Sequence, residues 1–370
     1  MKALLKQHCP SAVIAAGRIR IKFSRIFSLL KDSAKPRNLK EIYEFKRLAR
    51  AQARLSSQRI TTFRSHEYDK VMIIGIKSYN IGLFGYLLFA LNQLAYCEER
   101  KYFPVVYFGK RAGDGRNDFY DFRYGSNMWE YFFEPVAGLT YEDVISMVGA
   151  PQSPLKQEQL VELSAEELYQ LHFYNPASVF PYPYGFYYSK TDYDPEWYKV
   201  QRGKANALIK KYIRIKEPIQ REINQFYERH MQHAFIVGVH VRGTDKATNV
   251  ANPKAMRIVE PADYFDKLDP LIGKYPACKI LVATDQEQYL DNFKARYGER
   301  IIHSNAIRSK TKLNVFQKRN LNGYRLGKDV LVEAQLLSRC QYFLKCTSTV
   351  GEAVLWFNPE LEHIDLNYVV

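Results

Sequence analysis

The sequence predicts an α/β protein with two Rossmann-like domains, each built on a parallel sheet. Its 370 residues suit two domains of ordinary size, and a hydrophobic content of 46% is sufficient for their cores. Strands and helices alternate from residue 235 onward, which is typical of a parallel, doubly wound sheet. An earlier strand–loop–helix–strand unit over residues 71–108 indicates a second sheet of the same kind.

The chain begins with a basic helical segment, residues 1–60. Its apolar residues fall at helical spacing among lysines and arginines, a pattern typical of a helix on an anionic membrane surface. The alternatives are a helix packed on the domain and a disordered tail. No apolar run is long enough to span a bilayer, and no secretory signal is visible. We therefore expect a cytoplasmic protein with peripheral contact at the inner membrane surface.

Residues 61–215 form the predicted amino-terminal domain, which we expect to bind the acceptor substrate. Aromatic-rich insertions follow its first strands, at residues 119–133 and 173–198. Exposed rings there would suit the apolar face of a sugar, and the alternative is a long loop held by its own packed rings. The prolines of the second insertion argue against an ordinary helix. The strands are predicted at 71–76 and 105–108, with a helix at 87–100.

Residues 216–370 form the predicted carboxyl-terminal domain. A helix over residues 204–231, with a break near Pro218, leads into it. The strands are predicted at 235–242, 279–285, 300–304, 342–346 and 363–367. The helices are predicted at 261–274, 286–297, 328–340 and 349–357.

The first strand of this domain ends in a cluster of charged residues. His240, Arg242, Asp245 and Lys246 follow its buried run, with Gly243 where the chain turns. Because ligands bind beyond the carboxyl ends of parallel strands, these side chains would meet a ligand. Arg242 can hold a phosphate through two parallel hydrogen bonds, and Lys246 adds a point charge. The alternative is a charged turn that faces solvent.

Three segments of the chain resemble, in the same order, the motifs of the GDP-fucose-dependent fucosyltransferases. The first is Val-Gly-Val-His-Val-Arg-Gly-Thr-Asp-Lys, residues 237–246, and the second is the strand that ends in Ala-Thr-Asp at Asp285. The third runs from Asp329 to Gly351 and contains Cys-Thr-Ser-Thr-Val. This superfamily includes alpha-1,6, nodulation and protein O-fucosyltransferases. The resemblance covers about the last third of the chain and implies a GT-B-like fold, whose two sheets face a central cleft.

The resemblance also implies a site for a nucleotide-sugar donor, most simply GDP-fucose. His240 would lie against the nucleotide, while Arg242 and Lys246 would neutralise the leaving diphosphate. Asp285 matches the aspartate of the second motif, and Glu333 stands where the alpha-1,6 enzymes place the carboxylate that reads guanine. The alternatives are a structural histidine, an aspartate that caps the next helix, and a solvated glutamate.

The turn Thr347-Ser348-Thr349 lies just before a predicted helix. Its N–H groups and hydroxyls can bind a phosphate, because the start of a helix is an anion site. The alternative is ordinary helix capping, which Ser and Thr favour. The two roles are compatible, since a cap and a phosphate use neighbouring donors.

The chain departs from the alpha-1,6 pattern at three positions. Gly243 stands in place of the second of two adjacent arginines, and Gln286 in place of a second aspartate. Val250 lies near the place of a glutamate that is proposed as the base. The nearest carboxylates in the sequence are Asp245 and Glu260, which we take as the catalytic candidates.

The sequence therefore predicts an enzyme, a glycosyltransferase that moves L-fucose from GDP-fucose to a glycan or glycolipid by inverting displacement. No pair of carboxylates at a metal-binding spacing follows a strand, so we expect no metal ion and no cofactor, with Arg and Lys in the place of the ion. The alternative is a weak or inactive nucleotide-sugar-binding protein that docks on a membrane or an acidic glycan.

Composition narrows the partners further. The net charge of +15 predicts an anionic partner, but no zinc finger, RNP-like segment or KH loop is visible, so we expect no nucleic acid. The five cysteines form no Cys-x-x-Cys pair and no zinc spacing, which favours reduced thiols in the cytosol.

Overall fold

The computed structural model describes residues 42–43, 46–47, 68, 70–77, 81–112, 115–148, 155–173, 194–243, 259–311 and 322–367. Apart from two short pairs, the predicted basic helices of residues 1–60 lie outside the described residues, as does most of the aromatic insertion at 173–198. The strands of the described chain are β1 Lys70–Ile74, β2 Tyr102–Val106, β3 Arg111–Ala112, β4 Gly115–Arg116, β5 Leu160–Val161, β6 Ile236–Val241, β7 Lys279–Thr284, β8 Ile301–Ile302, β9 Tyr342–Lys345 and β10 His363–Asp365. The helices are α1 Leu83–Arg100, α2 Trp129–Phe132, α3 Tyr141–Val148, α4 Ala165–Phe173, α5 Pro195–Tyr212, α6 Glu217–His230, α7 Pro261–Lys274, α8 Glu287–Tyr297, α9 Gly323–Leu337 and α10 Thr349–Phe357.

The amino-terminal half is built on a three-stranded parallel sheet in the order β2-β1-β5. All but the first residue of β1 is buried, which agrees with its unbroken apolar sequence Val-Met-Ile-Ile. Helix α1 returns the chain from β1 to β2 and buries most of its length, from Leu83 to Leu94 and again at Cys97. The next residue, Lys101, adopts the left-handed conformation (φ 55°) and caps the helix by donating its backbone N–H to the carbonyls of Cys97 and Glu98.

The carboxyl-terminal half is built on a five-stranded parallel sheet in the order β10-β9-β6-β7-β8. The central strand β6 alternates between the two faces of this sheet. Val237, Val239 and Val241 pack in one apolar cluster with residues of α7 and α8, whereas Ile236 belongs to the cluster that contains α9 and α10. Because helices cover both faces, the sheet is doubly wound, and the prediction of two parallel α/β sheets is confirmed. The domain boundaries and the central cleft stay predictions.

Several element boundaries differ from those predicted. Helix α5 begins at Pro195, inside a stretch where proline was expected to exclude a helix. That expectation was wrong because a proline at the first helical position loses no hydrogen bond, and Asp194 caps the helix by accepting from the N–H groups of Glu196 and Trp197. Helix α9 likewise begins at Gly323, five residues early, with the Asn322 side chain as its cap. The predicted break near Pro218 is confirmed, since α5 ends at Tyr212 and α6 begins at Glu217.

The aromatic insertion at residues 119–133 is largely core rather than an exposed sugar platform. Its buried rings are Phe119, Tyr124, Trp129, Tyr131, Phe132 and Phe133. Tyr124 stacks on Tyr324 of α9 with ring centroids 4.1 Å apart. Gly327 of α9 allows the Phe132 ring to approach, because a Cβ there would lie 2.3 Å from the ring. For this insertion the packed-ring alternative holds.

Cys97, Cys278, Cys340 and Cys346 are buried free thiols, as predicted, and Cys9 lies outside the described residues. Within the ranges that the structure describes, no helix is both long and apolar enough to cross a bilayer.

Candidate functional site

The ends of three predicted motifs meet at the carboxyl edge of the second sheet. In the parallel register of β6 with its neighbours, His240 lies opposite Ala283 of β7 and Lys345 of β9. The chain that follows β6 is held to the chain that follows β7, because the Gly243 N–H donates to the Asp285 carboxylate at 3.1 Å. Asp285 therefore fixes the first motif, and it does not cap α8, whose N-cap is Gln286.

His240 connects the first motif to the third. Its side chain is 7% exposed, and its Nδ1 lies 3.4 Å from the Ser348 hydroxyl. The His240 carbonyl accepts from the hydroxyl of Tyr264, at 2.7 Å, and burial raises the pKa of that tyrosine. The histidine is thus held on both its backbone and its ring, next to the start of α10.

The turn Thr347-Ser348-Thr349 is arranged as a helix start. The Ser348 side chain accepts from the Gly351 N–H at 3.0 Å, so the capping alternative is correct for this residue. Thr347 donates its N–H to Asn367 at 2.7 Å and its hydroxyl to Asp365 at 2.8 Å. Both donors of Thr347 therefore have partners within the protein, and a phosphate contact of this residue stays a prediction. Thr349 is half-buried at the first helical position.

A buried charge network, which the sequence did not predict, lies beneath this turn. The Lys345 ammonium donates to Glu352 at 2.8 Å and to Asp365 at 2.5 Å, and the Lys345 side chain has no exposed surface. Arg202 of α5 donates to both carboxylate oxygens of Glu352, at 2.8 and 3.0 Å, and contacts the His363 ring at 3.1 Å. We call these five residues the buried charge network.

The charges of this network set the protonation of its members. Burial alone would raise the pKa of Glu352, but Arg202 and Lys345 hold the pKa lowered, at about 2. Burial, together with the same two cations, lowers the pKa of His363 to about 4. Glu352 is therefore ionised and His363 neutral near pH 7. The signal in the sequence was a lysine that ends an apolar strand and a glutamate within an apolar helix.

Glu333 and Asp329 lie on one side of α9, against the segment that follows β8. The Glu333 carboxylate accepts from the Ser304 hydroxyl at 2.6 Å and from Arg308 at 2.9 Å, and the residue is only 9% exposed. Asp329 accepts from the Ile307 N–H at 3.0 Å. Burial raises the pKa of Glu333 to about 7, although Arg308 and Ser304 act in the opposite direction. The solvated-glutamate alternative is therefore wrong.

The candidate catalytic residues are only partly within the described chain. Arg242 is half-buried directly after β6. Glu260 is exposed at the N-cap of α7, where it forms a reciprocal capping box with Asp263. Its carboxylate also pairs with the Tyr289 hydroxyl, and burial followed by this contact raises the pKa of that tyrosine. Asp245 and Lys246 lie outside the described residues.

Two departures from the alpha-1,6 pattern belong to one packing arrangement. A Cβ at Gly243 would lie 2.5 Å from the Tyr289 ring and 2.9 Å from the side-chain amide carbon of Gln286. The space of a second arginine is thus taken by Gln286 and Tyr289, and Gly243 is the residue that fits. A larger side chain at position 243 would collide with the start of helix α8, which packs onto the turn.

Gly243→Ala is expected to lower stability by about 1–3 kcal/mol, the usual range for overpacking. The added methyl must displace Tyr289 or the turn that bears Arg242. Urea unfolding measures the loss, and Tyr289→Ala combined with Gly243→Ala should recover part of it. Gly203→Ala is the matched control, because a Cβ there meets nothing within 4 Å. Equal midpoints for Gly243→Ala and the control would contradict the crowding.

No group of three or more His, Cys, Asp or Glu side chains that could hold a metal ion occurs among the residues whose positions are described.

A family model for the alpha-(1,6)-fucosyltransferase N- and catalytic domains matches residues 118–350, well over half of the chain. The family resemblance predicted from three motifs is confirmed by this match. No curated protein sequence matches the chain.

The fold is also similar to several solved fucosyltransferase structures. Fucosyltransferase NodZ from Bradyrhizobium is 17% identical, with 77% of this chain and 92% of that chain covered and a TM-score of 0.42. POFUT1 in complex with GDP is 10% identical, with 80% and 98% covered and a TM-score of 0.46. A variant of Arabidopsis thaliana FUT1 in complex with GDP is 12% identical, with 89% and 79% covered and a TM-score of 0.43.

Proposed function

Because the chain belongs to the alpha-(1,6)-fucosyltransferase family and is therefore a glycosyltransferase, we propose that it transfers L-fucose from GDP-fucose to a glycan or glycolipid. The observation that supports this most directly is the meeting of three motifs at one sheet edge. His240 contacts Ser348 across the gap between β6 and α10, and Asp285 holds Gly243 beside Arg242. A diphosphate at this edge would meet a guanidinium and a helix start together.

The proposed reaction is a single displacement at the anomeric carbon of the donor. The acceptor hydroxyl forms the new bond, the bond to the diphosphate breaks, and GDP leaves with the electron pair. Arg242 and Lys246 neutralise the charge that develops on GDP, and the N–H groups at the start of α10 add to this stabilisation. Displacement from the opposite face inverts the anomeric carbon. The hydroxyl proton goes to a carboxylate, for which Asp245 and Glu260 are the candidates.

Donor hydrolysis tests this proposal. The full chain is incubated with GDP-fucose, GDP-mannose, UDP-glucose and dTDP-rhamnose, and release of the nucleoside diphosphate is measured. Selective turnover of GDP-fucose supports the proposal. Turnover of only a UDP- or dTDP-sugar refutes the donor, and GDP binding without any turnover favours the alternative of an inactive binding protein.

We propose that Glu333 reads guanine, with Asp329 as the fallback. Guanine presents two adjacent donors, N1–H and the exocyclic amine, and an ionised carboxylate accepts both. Glu333→Gln is expected to weaken GDP binding by about 1–3 kcal/mol and to leave UDP binding almost unchanged. Calorimetric titration of both nucleotides measures this, with Asp329→Asn as the matched variant. Equal GDP affinity in the Glu333 variant and the wild type would move the assignment to Asp329.

The pH dependence of GDP binding gives the same proposal a second readout. Burial raises the pKa of Glu333 to about 7, and the ionised form is the one that accepts both guanine donors. Wild-type affinity for GDP is therefore expected to rise as the pH increases through 7 and to level off above it. The Glu333→Gln variant should lack this rise.

Catalysis is proposed to be independent of metal ions, with Arg242 and Lys246 in the role that a divalent ion has in other glycosyltransferases. GDP-fucose turnover is then expected to continue unchanged in excess EDTA. The control is the same assay after dialysis with added Mg²⁺ or Mn²⁺, which should give no increase. Loss of turnover in EDTA with recovery on addition of Mn²⁺ would contradict the proposal.

A further inference from the structure

A pocket of about 240 Å³ opens at the carboxyl edge of the amino-terminal sheet, where β1 and β2 end. It is separate from the donor site proposed above. The residues that matter for its chemistry are Tyr86, Tyr107, Tyr141, Lys77 and Glu162. Most of the remaining wall comes from the residues that directly follow β1 and β2 and from Gln93 of helix α1.

Tyr86 brings a hydroxyl to this pocket. The residue is 3% exposed, and its ring packs against Phe108 and Phe119 with centroids 5.0 and 6.3 Å away. Within the described part of the chain its hydroxyl makes no hydrogen bond, and burial raises the pKa of Tyr86, so the hydroxyl stays protonated. A protonated tyrosine hydroxyl can both donate to and accept from a hydroxyl of a ligand in the pocket that Tyr86 lines.

An aromatic surface forms one wall of the pocket. The rings of Tyr107 and Tyr141 stack with centroids 4.0 Å apart and planes inclined by 25°. Tyr107 folds over Gly109, where a Cβ would lie 2.9 Å from the tyrosine oxygen. Gly109 therefore allows this ring position, and the stack holds it. Such a surface packs against the apolar C–H face of a pyranose ring, while the tyrosine hydroxyls remain available to polar groups.

The other polar groups of the pocket are already paired. Gln93 donates to the Gly75 carbonyl at 2.9 Å, and Asn117 donates to the Gly109 carbonyl at 3.0 Å, so both amides fix the backbone of the pocket. At the rim Lys77 pairs with Glu162 at 2.9 Å. One cation and one carboxylate leave the described lining without net charge. This arrangement suits a neutral ligand and does not suit a phosphate.

One segment of the chain links the pocket to the nucleotide region. Asn117 lines the pocket, and the next two residues pack against the first turn of α9. A Cβ at Gly323 would lie 2.7 Å from the Asp118 carbonyl oxygen and 2.9 Å from that of Phe119. Helix α9 carries Glu333 farther along. The pocket and the helix that carries the proposed guanine contact are thus joined by the packing of Asp118 and Phe119 against Gly323.

From this arrangement we propose that the pocket binds one neutral pyranose ring of the acceptor glycan, an inference that rests on the proposed function. The volume lies below the roughly 300–1,000 Å³ of pockets that enclose drug-sized ligands, so a single ring fits better than an oligosaccharide. The stacked tyrosines would contact its apolar face, and Tyr86 would bond one hydroxyl. The rest of the acceptor would extend out of the pocket.

Binding of methyl glycosides to the full chain tests this proposal. Methyl glucoside, methyl galactoside and methyl N-acetylglucosaminide are titrated by saturation-transfer NMR, with free L-fucose as a separate probe. At least one methyl glycoside should bind. Tyr86→Phe should weaken it about 2- to 10-fold, the loss of one neutral hydrogen bond, and Tyr107→Leu should weaken it more. Tyr275→Phe, whose ring stacks on Phe235 in the other sheet's apolar cluster, is the matched control.

The outcomes separate the sources of the sugar and the two proposals. Glycoside affinity that is unchanged in the folded Tyr86→Phe and Tyr107→Leu variants overturns the pocket assignment. Displacement of the glycoside by free L-fucose or GDP-fucose assigns the pocket to the donor sugar and overturns the acceptor assignment. GDP binding is measured in every variant and should not change. Glycoside binding that persists when the chain fails to bind GDP would refute the proposed function and leave the pocket as a sugar site.

Discussion

Arg242→Ala is expected to lower the turnover number about 100- to 1,000-fold, the usual loss when one stabilising donor is removed from a transition state. Charge accumulates on the diphosphate as the sugar leaves, and Arg242 is the cation that directly follows β6 at the edge where the three motifs meet. Arg242→Lys should recover little, because an ammonium lacks the planar pair of donors that grips two phosphate oxygens. The measurement is transfer of radiolabelled fucose under saturating GDP-fucose.

The control for this substitution is Arg229→Ala, in the last turn of α6. In urea unfolding, the free energy of unfolding of both variants should lie within about 0.5 kcal/mol of the wild-type value, as is usual for substitutions away from the core. Near-normal turnover in Arg242→Ala would remove this residue from the site. A large fall in stability instead of activity would assign it a structural role.

The second sheet was largely predictable, because each of its buried strands appears in the sequence as a local apolar run. Short apolar runs, each followed by a helical pattern, gave the strands near 236, 279 and 342 and the helices at 261–274 and 349–357. Helices cover both faces of this sheet, so the side chains on both faces of a strand such as β6 are mostly apolar. The sequence therefore shows the strand as a nearly continuous apolar run. The amino-terminal half was less predictable. Its β5 is only two residues long, and α2 is four, so neither leaves a periodic signal.

The sequence contained a signal for the start of α5, but the prolines upstream of it led to the prediction that this stretch is not helical. Asp194-Pro195 is a cap followed by a proline at the first helical position, which is a common helix start. Three prolines lie upstream, at positions 176, 181 and 183, and they favoured the prediction of a loop through this start. Trp197 and Tyr198, which were grouped with an aromatic loop, lie in this helix.

The candidate site likewise contains residues that the sequence placed and contacts that the sequence did not predict. Motif spacing correctly placed His240, Asp285 and Ser348 at the carboxyl ends of three strands of one sheet, His240 as the next-to-last residue of its strand and the other two just beyond theirs. The partners of Glu333 were not predictable, since Ser304 and Arg308 lie between a two-residue strand and α9, with no pattern that marks them. The buried charge network was not predicted, because Arg202 is 150 residues from Glu352 in the sequence. No local pattern encodes that pairing.

The second large effect is expected at Glu352, on stability rather than on binding. Glu352→Gln leaves the cations of Arg202 and Lys345 with one carboxylate, that of Asp365, in a region where their side chains are 5% and 0% exposed. Removing one partner from a buried ion pair commonly costs about 3–5 kcal/mol, because a charge remains buried without compensation. Urea unfolding at pH 7 measures the loss. Glu362→Gln, an exposed glutamate just before β10, is the matched control.

The pH dependence of unfolding separates this explanation from simple loss of packing. The pKa of Glu352 is lowered from 4.5 to about 2 in the folded protein, so its contribution is fully present above pH 4.5 and is lost as the pH falls through 2. The wild type should therefore lose stability between pH 4.5 and 2 more steeply than Glu352→Gln. Lys345→Met combined with Glu352→Gln should recover part of the loss, since both buried charges that face each other are then gone. Equal stability of Glu352→Gln and the wild type at pH 7, or parallel pH profiles, would show that the network carries no net stabilising charge interaction.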